Sequence, residues 1–226
     1  MDQRNRDLLI DIRDFTRWYP HSPKLLFRNF NFKLYKHEFC VLMGKSGSGK
    51  STLIQFLIRK LKPHPKTIYI NNEDVSSFSI DEIQSHRQKI GIVFQDYQLI
   101  PTKTVAENII YPLELKWLSE KVIKQRLEEI LILMGLHDKR DEKISFLSWG
   151  EKQKVSIGRA IIWRPDYIIA DEPTGNLDRA ATTSIADVLI ELNQKWHTIL
   201  LITHDPMLLE YINSKQPTIS HTMPTF

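Results

Sequence analysis

Residues 44–51 read Gly-Lys-Ser-Gly-Ser-Gly-Lys-Ser, a full match to the phosphate-binding pattern G-x-x-x-x-G-K-[ST]. The run before it, residues 38–43, is unbroken in apolar residues after Glu38 and predicts a buried strand. Residues 52–58 suit a helix. Strand, glycine loop and helix in that order give the motif the setting it needs to hold an anion, and they commit the chain to an α/β layering. Gly44, Gly47 and Gly49 clear side chains away, so successive backbone N–H groups can curl around a polyphosphate. The helix starting near Lys50 points its positive end at the same place. The cradle is expected to run from Gly44 to Thr52, with Lys45, Ser46 and Ser48 as further contacts. Lys50 is expected to reach the β- and γ-phosphates, and the Ser51 hydroxyl to ligate Mg²⁺. A mere Gly/Ser connector would leave Lys50 without a structural purpose.

The chain has 226 residues, 42% hydrophobic and 26% charged, enough for a sizeable core in one large domain or one domain with an inserted lobe. Its formal net charge of +4 is spread rather than gathered in runs, so no nucleic-acid partner is expected. The single Cys40 lies in the strand before the phosphate loop, reads as a small buried hydrophobe, and excludes an intramolecular disulfide. No stretch approaches the roughly 18 consecutive apolar residues of a spanning helix. The first residues lack the apolar core of a secretory signal. The expectation is a cytoplasmic chain that meets a membrane only through a partner.

Short apolar runs at 8–12 and 25–34, with turn chemistry between them, predict an antiparallel β layer leading into the strand at 39–43. Further strands are expected at 67–71, 90–94, 167–170 and 198–203, and helices at 80–88, about 180–194 and from just after Ser148 toward Ile162. Residues 120–134 place Val122, Ile123, Leu127, Ile130, Leu131 and Met134 at helical spacing, closed by Gly135. The section around 97–160 reads as a helical lobe inserted in an α/β core, and the tail from 212 to 226 is weakly patterned. Strands alternating with helices predict a mostly parallel sheet with ligands at the carboxyl ends of its strands.

Asp171 and Glu172 follow an apolar strand directly. Beside a phosphate loop, the first carboxylate suits a metal ligand and the second suits polarising an attacking water. The bland account is an acid pair capping the turn before Pro173. Gln95 ends another strand, where a neutral amide can bind Mg²⁺ and position water. His204 follows residues 198–203 in the same way. Tyr19, beside Trp18, precedes the loop, and its ring could stack on adenine or simply fill a turn.

The order of these features resembles the nucleotide-binding subunits of ABC transporters, from about residue 8 to 211. It runs from the aromatic turn and phosphate loop through Gln95, Leu147-Ser-Trp-Gly-Glu151, Asp171-Glu172 and Gly175-Asn-Leu-Asp178 to Thr203-His204. The resemblance implies an ATPase: Tyr19 stacking on adenine, Ser148, Gly150 and Asp178 contacting nucleotide, and Glu172, His204, Gln95 and Lys50 in catalytic roles. Ser51, Gln95 and Asp171 become the Mg²⁺ ligands. It also implies a homodimer closing head to tail on two Mg·ATP, each segment 147–151 capping the nucleotide of the other copy. Within the family the likeness is strongest to the FtsE-type cell-division branch, which works with an FtsX-like integral membrane partner. Lipoprotein-release and macrolide-export ATPases share Gly-Asn-Leu-Asp and are the alternative. Such a partner is expected to dock by Tyr97, Leu99 and Ile100. Trp149 stands where the family usually has glycine, which leaves open a nucleotide-binding switch with little turnover. His37 and Thr67 also replace usual turn glycines.

Overall fold

The computed structural model describes residues 7–18, 25–45, 47–115, 118–195 and 197–223. Two sheets share the chain. The first is antiparallel, built from β1 (Leu8–Trp18), β2 (Leu25–Tyr35), β4 (Ile68–Ile70) and β5 (Glu73–Asp74) in the order β2-β1-β4-β5. The second contains β6 (Ile90–Val93), β7 (Tyr167–Asp171), β8 (Thr198–Thr203), β3 (Phe39–Met43) and β9 (Ile219–Thr222) in that spatial order, every pairing parallel. The ABC ATPase arrangement implied by the sequence, a mostly parallel sheet with an antiparallel layer, is the one observed.

The buried runs of β3, β7 and β8 are apolar because both faces of the sheet are covered there. Side chains alternate between those faces with period two. Val41, Ile168, Ala170, Ile199 and Leu201 face one apolar cluster, completed by residues of the helices. Cys40, Leu42, Ile169, Leu200 and Ile202 face another, shared with β1, β2, β4 and the helix after the phosphate loop. The sheet is therefore clamped between the helices and the antiparallel layer. Cys40 is fully buried, and burial pushes its thiol up to about 12, so it is an inert core residue.

The helices are α1 (Lys50–Leu57), α2 (Ile80–Gln88), α3 (Val105–Ile110), α4 (Glu120–Met134), α5 (Trp149–Ile161), α6 (Arg179–Gln194) and α7 (Pro206–Lys215). Their starts are set by side chains that take orphan backbone N–H groups. Ser79 with Glu82, Thr104 with Glu107 and Ser148 with Glu151 form complete capping boxes, and Asp178 caps α6. Gly135, in the left-handed region at φ 63°, ends α4.

Three features were not anticipated. Residues 105–110 form a helix too short to show a period. The described part of the tail, to Met223, is built into the fold: α7 runs to Lys215, β9 adds an edge strand to β3, and Met223 is buried with its N–H donating to the Met43 carbonyl at 2.7 Å. His37 accepts a left-handed φ of 65° in place of a glycine, its N–H bonded to Thr198 Oγ1 at 2.8 Å. At the later turn it is Lys66, at φ 63°, and not Thr67 that takes the left-handed position.

Candidate active site

Four neighbouring strands of the parallel sheet, β6, β7, β8 and β3, each carry a candidate residue at or just beyond the carboxyl end. The phosphate loop follows β3, Gln95 follows β6, Asp171 ends β7, and His204 follows β8. Parallel register brings these ends level, because Met43 pairs with Thr203 and Asp171 with Ile202. Gly47, Gly49, Lys50, Ser51, Thr52, Gln95, Asp171, Glu172 and His204 line one open cleft. Residues more than a hundred positions apart thus meet because sheet pairing leaves them no other place.

The loop backbone is shaped around close contacts. Gly49 caps α1 at φ 94°, and a Cβ there would lie 2.8 Å from Phe27 Cζ and 2.9 Å from Leu26 Cδ1. Only glycine fits both the dihedral and the space. Gly44 donates its N–H to the Thr203 carbonyl at 3.1 Å, tying the loop to β8. Ser48 is buried, its hydroxyl faces Met223 Sδ at 3.9 Å and its N–H donates to the Lys45 carbonyl at 3.1 Å, so its side chain turns toward the tail and its backbone closes the loop.

Lys50 is 8% exposed and fully engaged. Its ammonium donates to the Gly44 carbonyl at 2.5 Å and the Lys45 carbonyl at 3.0 Å, and pairs with Glu172 Oε1 at 3.2 Å. Glu172 is itself buried, at a left-handed φ of 45° that bulky residues rarely adopt. His204 Nδ1 lies 2.7 Å from Glu172 Oε1, and since an ionised carboxylate only accepts, that nitrogen carries the proton. Thr203 Oγ1 donates to Glu172 Oε2 at 3.1 Å, and the His204 N–H to the same oxygen at 3.3 Å. Thr203 is the partner missed in the sequence. Its signal was present, since it occupies the last buried position of β8 beside His204.

Ser51 Oγ donates to Asp171 Oδ2 at 3.1 Å. Burial, above all, pushes the Asp171 carboxyl above its ordinary range; the neighbouring Glu172 adds to this while the Ser51 hydroxyl opposes it. A cation beside it would oppose the effect of burial and favour the anionic form. A hydroxyl, a carboxylate and the Gln95 amide in one cleft are oxygen donors fitting a hard ion. Among the described residues no group of three or more His, Cys, Asp or Glu could hold a metal. These oxygen donors, rather than that absence, fit Mg²⁺, which takes few protein ligands and completes its shell with water and phosphate oxygens.

Three predicted contacts stand away from this cleft. Ser148 begins α5, its hydroxyl accepting from the Glu151 N–H at 3.3 Å and donating to Glu151 Oε2 at 2.8 Å. Lys139 meets Glu151 at 2.7 Å and, more than any other contact, holds that carboxyl below its usual range. Gly150 packs on α6, where an added Cβ would lie 3.1 Å from Ala181 Cβ. Asp178 is exposed and spends its carboxylate on the Ala181 N–H at 2.8 Å. Tyr19 and Ser46 lie outside the described residues. The expected docking trio divides: Leu99 and Ile100 are half-buried, but Tyr97 is only 7% exposed. Tyr97 is stacked beneath the half-open indole of Trp149, ring centroids 5.8 Å apart.

The chain matches the ABC transporter family over residues 27–175. It is 37% identical over 207 residues to the cell division ATP-binding protein FtsE of Bacillus subtilis, covering 92% of this chain and 90% of that protein. It is also 37% identical over 195 residues to the methionine import ATP-binding protein MetN 1 of Bacillus cereus, covering 86% of this chain and 56% of that one. Among solved structures it is similar to the ATP-binding cassette MJ0796, seen as a dimer in a post-hydrolysis state bound to ADP and Pi. That likeness has a TM-score of 0.79 and 32% identity, covering 90% of this chain and 91% of the other.

Proposed function

Because this chain belongs to the ATP-binding, ATP-hydrolysing subunits of the ABC transporter family, we propose that it is an FtsE-like ATPase whose dimer closure acts on a membrane partner. The observation that carries the ATPase reading is the position of Glu172. Its carboxylate is fixed between Lys50, His204 and Thr203, beside the loop where a γ-phosphate would end. The cell-division reading is supported by a match that spans nearly the full length of both proteins.

The geometry gives each residue a task. Backbone N–H groups of 44–52 and the α1 N-terminus bind the phosphates, and Lys50 turns from its carbonyl and Glu172 contacts to the β- and γ-oxygens. That exchange opens the side of Glu172 Oε1 that Lys50 had occupied, where the oxygen can accept the proton of an attacking water while it keeps its contact with His204 Nδ1. Thr203 and the His204 N–H hold Oε2 during the transfer, which keeps the carboxylate aimed. Ser51, Asp171 and Gln95 hold Mg²⁺, which neutralises charge on the phosphoryl oxygens. Two copies close head to tail, the first turn of α5 in one copy meeting the nucleotide in the other. ATP binds the closed state more tightly, so binding and hydrolysis drive an opening and closing cycle.

Helices within 97–160 then serve as the lobe for an FtsX-like partner, with Leu99 and Ile100 as contacts. No described helix is long and apolar enough to cross a membrane. Such a partner would hold this subunit on the cytoplasmic face. Purified protein is expected to hydrolyse ATP with Mg²⁺, and Glu172→Gln to cut turnover about 10²- to 10⁴-fold while ATP binding persists. Co-expression should retain an FtsX-like membrane protein on the tagged chain in preference to a methionine-import permease. An inactive wild type that binds ATP tightly would favour the switch reading, and preferential capture of the permease would replace the cell-division role.

A further inference from the structure

Trp149 occupies the first position of α5, 59% exposed, where the family's signature usually has glycine. Its indole stacks on Tyr97 at 5.8 Å between centroids and 28° between planes. The Lys152 ammonium, one turn along the same helix, lies 4.6 Å from the indole centroid. A glycine at this point would make neither contact.

Tyr97 lies two residues after Gln95, in a loop that does not relax into ordinary backbone. Tyr97 and Gln98 are both left-handed, at φ 57° and 46°. Such a pair persists only when its surroundings over-determine it. Here the surroundings are α5: Arg159 donates from Nη2 to the Tyr97 carbonyl at 2.7 Å and from Nη1 to the Gln98 carbonyl at 2.6 Å. Ser156 Oγ donates to the Tyr97 carbonyl at 3.2 Å. The Tyr97 hydroxyl bonds Asn176, between Glu172 and Asp178, and a Cβ on adjacent Gly175 would lie 3.1 Å from Gln95 Nε2. The backbone of the loop is thus gripped by the middle and end of α5, and its ring by the helix's first residue.

We infer that Trp149 is a positioning residue for ATP hydrolysis: its stack on Tyr97 fixes the loop that presents the Gln95 amide to the metal end of the cleft. Within its own chain it acts through Tyr97 and lines no part of the cleft. The inference rests on the ATPase reading above and extends it with a link that this chain's own departure from the signature creates. Because the indole is half open and sits in the first turn of α5, whatever engages that turn bears on Gln95 through a single ring contact.

The test uses the full chain with Trp149→Ala, Trp149→Phe, Gln95→Ala and the Trp149→Ala/Gln95→Ala pair, assayed across Mg²⁺ and ATP concentrations. Trp149→Ala is expected to lower kcat about threefold to tenfold, the equilibrium worth of such a stack. It should raise the Mg²⁺ needed for half-maximal rate, with KM for ATP changed less than about twofold. Trp149→Phe should restore most of the rate and the Mg²⁺ dependence. The double variant should be no slower than Gln95→Ala alone, since a residue that works through another adds nothing once that one is gone. Wild-type kcat and Mg²⁺ dependence in Trp149→Ala, or full additivity in the pair, would overturn the link alone. If Glu172→Gln and Gln95→Ala both kept full turnover, the assignment of this cleft as the hydrolytic site would fall, and the link with it; a wild type without turnover would instead remove the ATPase reading itself.

Discussion

The cleft at the ends of the parallel strands and the first turn of α5 are both helix N-termini suited to an anion, but they are finished to different degrees. In the cleft, the helix end is joined by a buried cation, two buried carboxylates and a histidine drawn from three strand ends. At α5, the Ser148 hydroxyl is spent on its own capping box and Glu151 is held by Lys139. Nothing else from the same chain completes that site among the contacts described. The first site is closed by one chain's topology. The second is a self-satisfied cap on the surface, and it gains a ligand only when another surface supplies one. The lesson is that a helix N-terminus is a precondition for anion binding, and converging charge is what makes a site.

That contrast can be broken experimentally, most directly at Lys50. Lys50→Ala removes a cation buried in the cleft and is expected to lower kcat/KM about 10²-fold or more, as loss of a preorganised charge does. It also strands Glu172 without its ion pair, so the melting temperature should fall. Calorimetry and a coupled ATPase assay read the two effects; an unimpaired Lys50→Ala enzyme would mean that the cleft is not the reacting centre.

Ser148→Ala should act differently. It removes a capping box, costing about 1 kcal/mol of stability at α5. ATP affinity of the dilute, single chain should be unchanged, whereas turnover at high protein concentration should fall. Titration of a fluorescent ATP analogue against turnover at several protein concentrations separates these. Weaker nucleotide binding by the dilute chain would erase the distinction between the two sites.

The smallest expected effect concerns pH. Burial raises the folded-state pKa of Asp171 above the unfolded value of 3.8, so the folded protein holds that proton more tightly. The group therefore costs stability above its folded pKa, and this cost vanishes as the pH falls below the unfolded value. Asp171→Asn, which keeps an oxygen for the Ser51 hydroxyl, should raise the melting temperature of ligand-free protein near neutral pH by a few degrees. The gain should disappear below about pH 3.8, and Mg²⁺-dependent turnover should be lost throughout. Equal melting temperatures for wild type and variant near neutral pH would show that Lys50 and Ser51 already offset the burial.

Much of the fold was legible because its signals are local. Residues 120–134 and 198–203 appear as α4 and β8 at the expected bounds, since a helical stripe closed by glycine and an all-apolar run leave little choice. The misses were of two kinds. Helix α3 is six residues long, too short for a period, although its Thr104–Glu107 capping box was there to be read. Strand β9 reads Ile-Ser-His-Thr, and as an edge strand with exposed positions it needs no apolar pattern. Tyr97 was misplaced because an aromatic beside a turn looks like surface until α5 is packed against it.

By itself the chain of residues determined the strand–glycine loop–helix unit, the helix caps, and the ending of apolar strands in Gln95, Asp171 and His204. Each of these is written within a few consecutive positions, where steric rules and backbone hydrogen bonding act directly. Tertiary structure alone decided that Glu172 lies between Lys50 and His204, that Ser51 meets a carboxylate 120 positions away, and that Trp149 holds Tyr97. Those contacts depend on the register of a parallel sheet and on how α5 packs beside it. Such long-range placement comes from burying both faces of the sheet together, and no short run of residues encodes it.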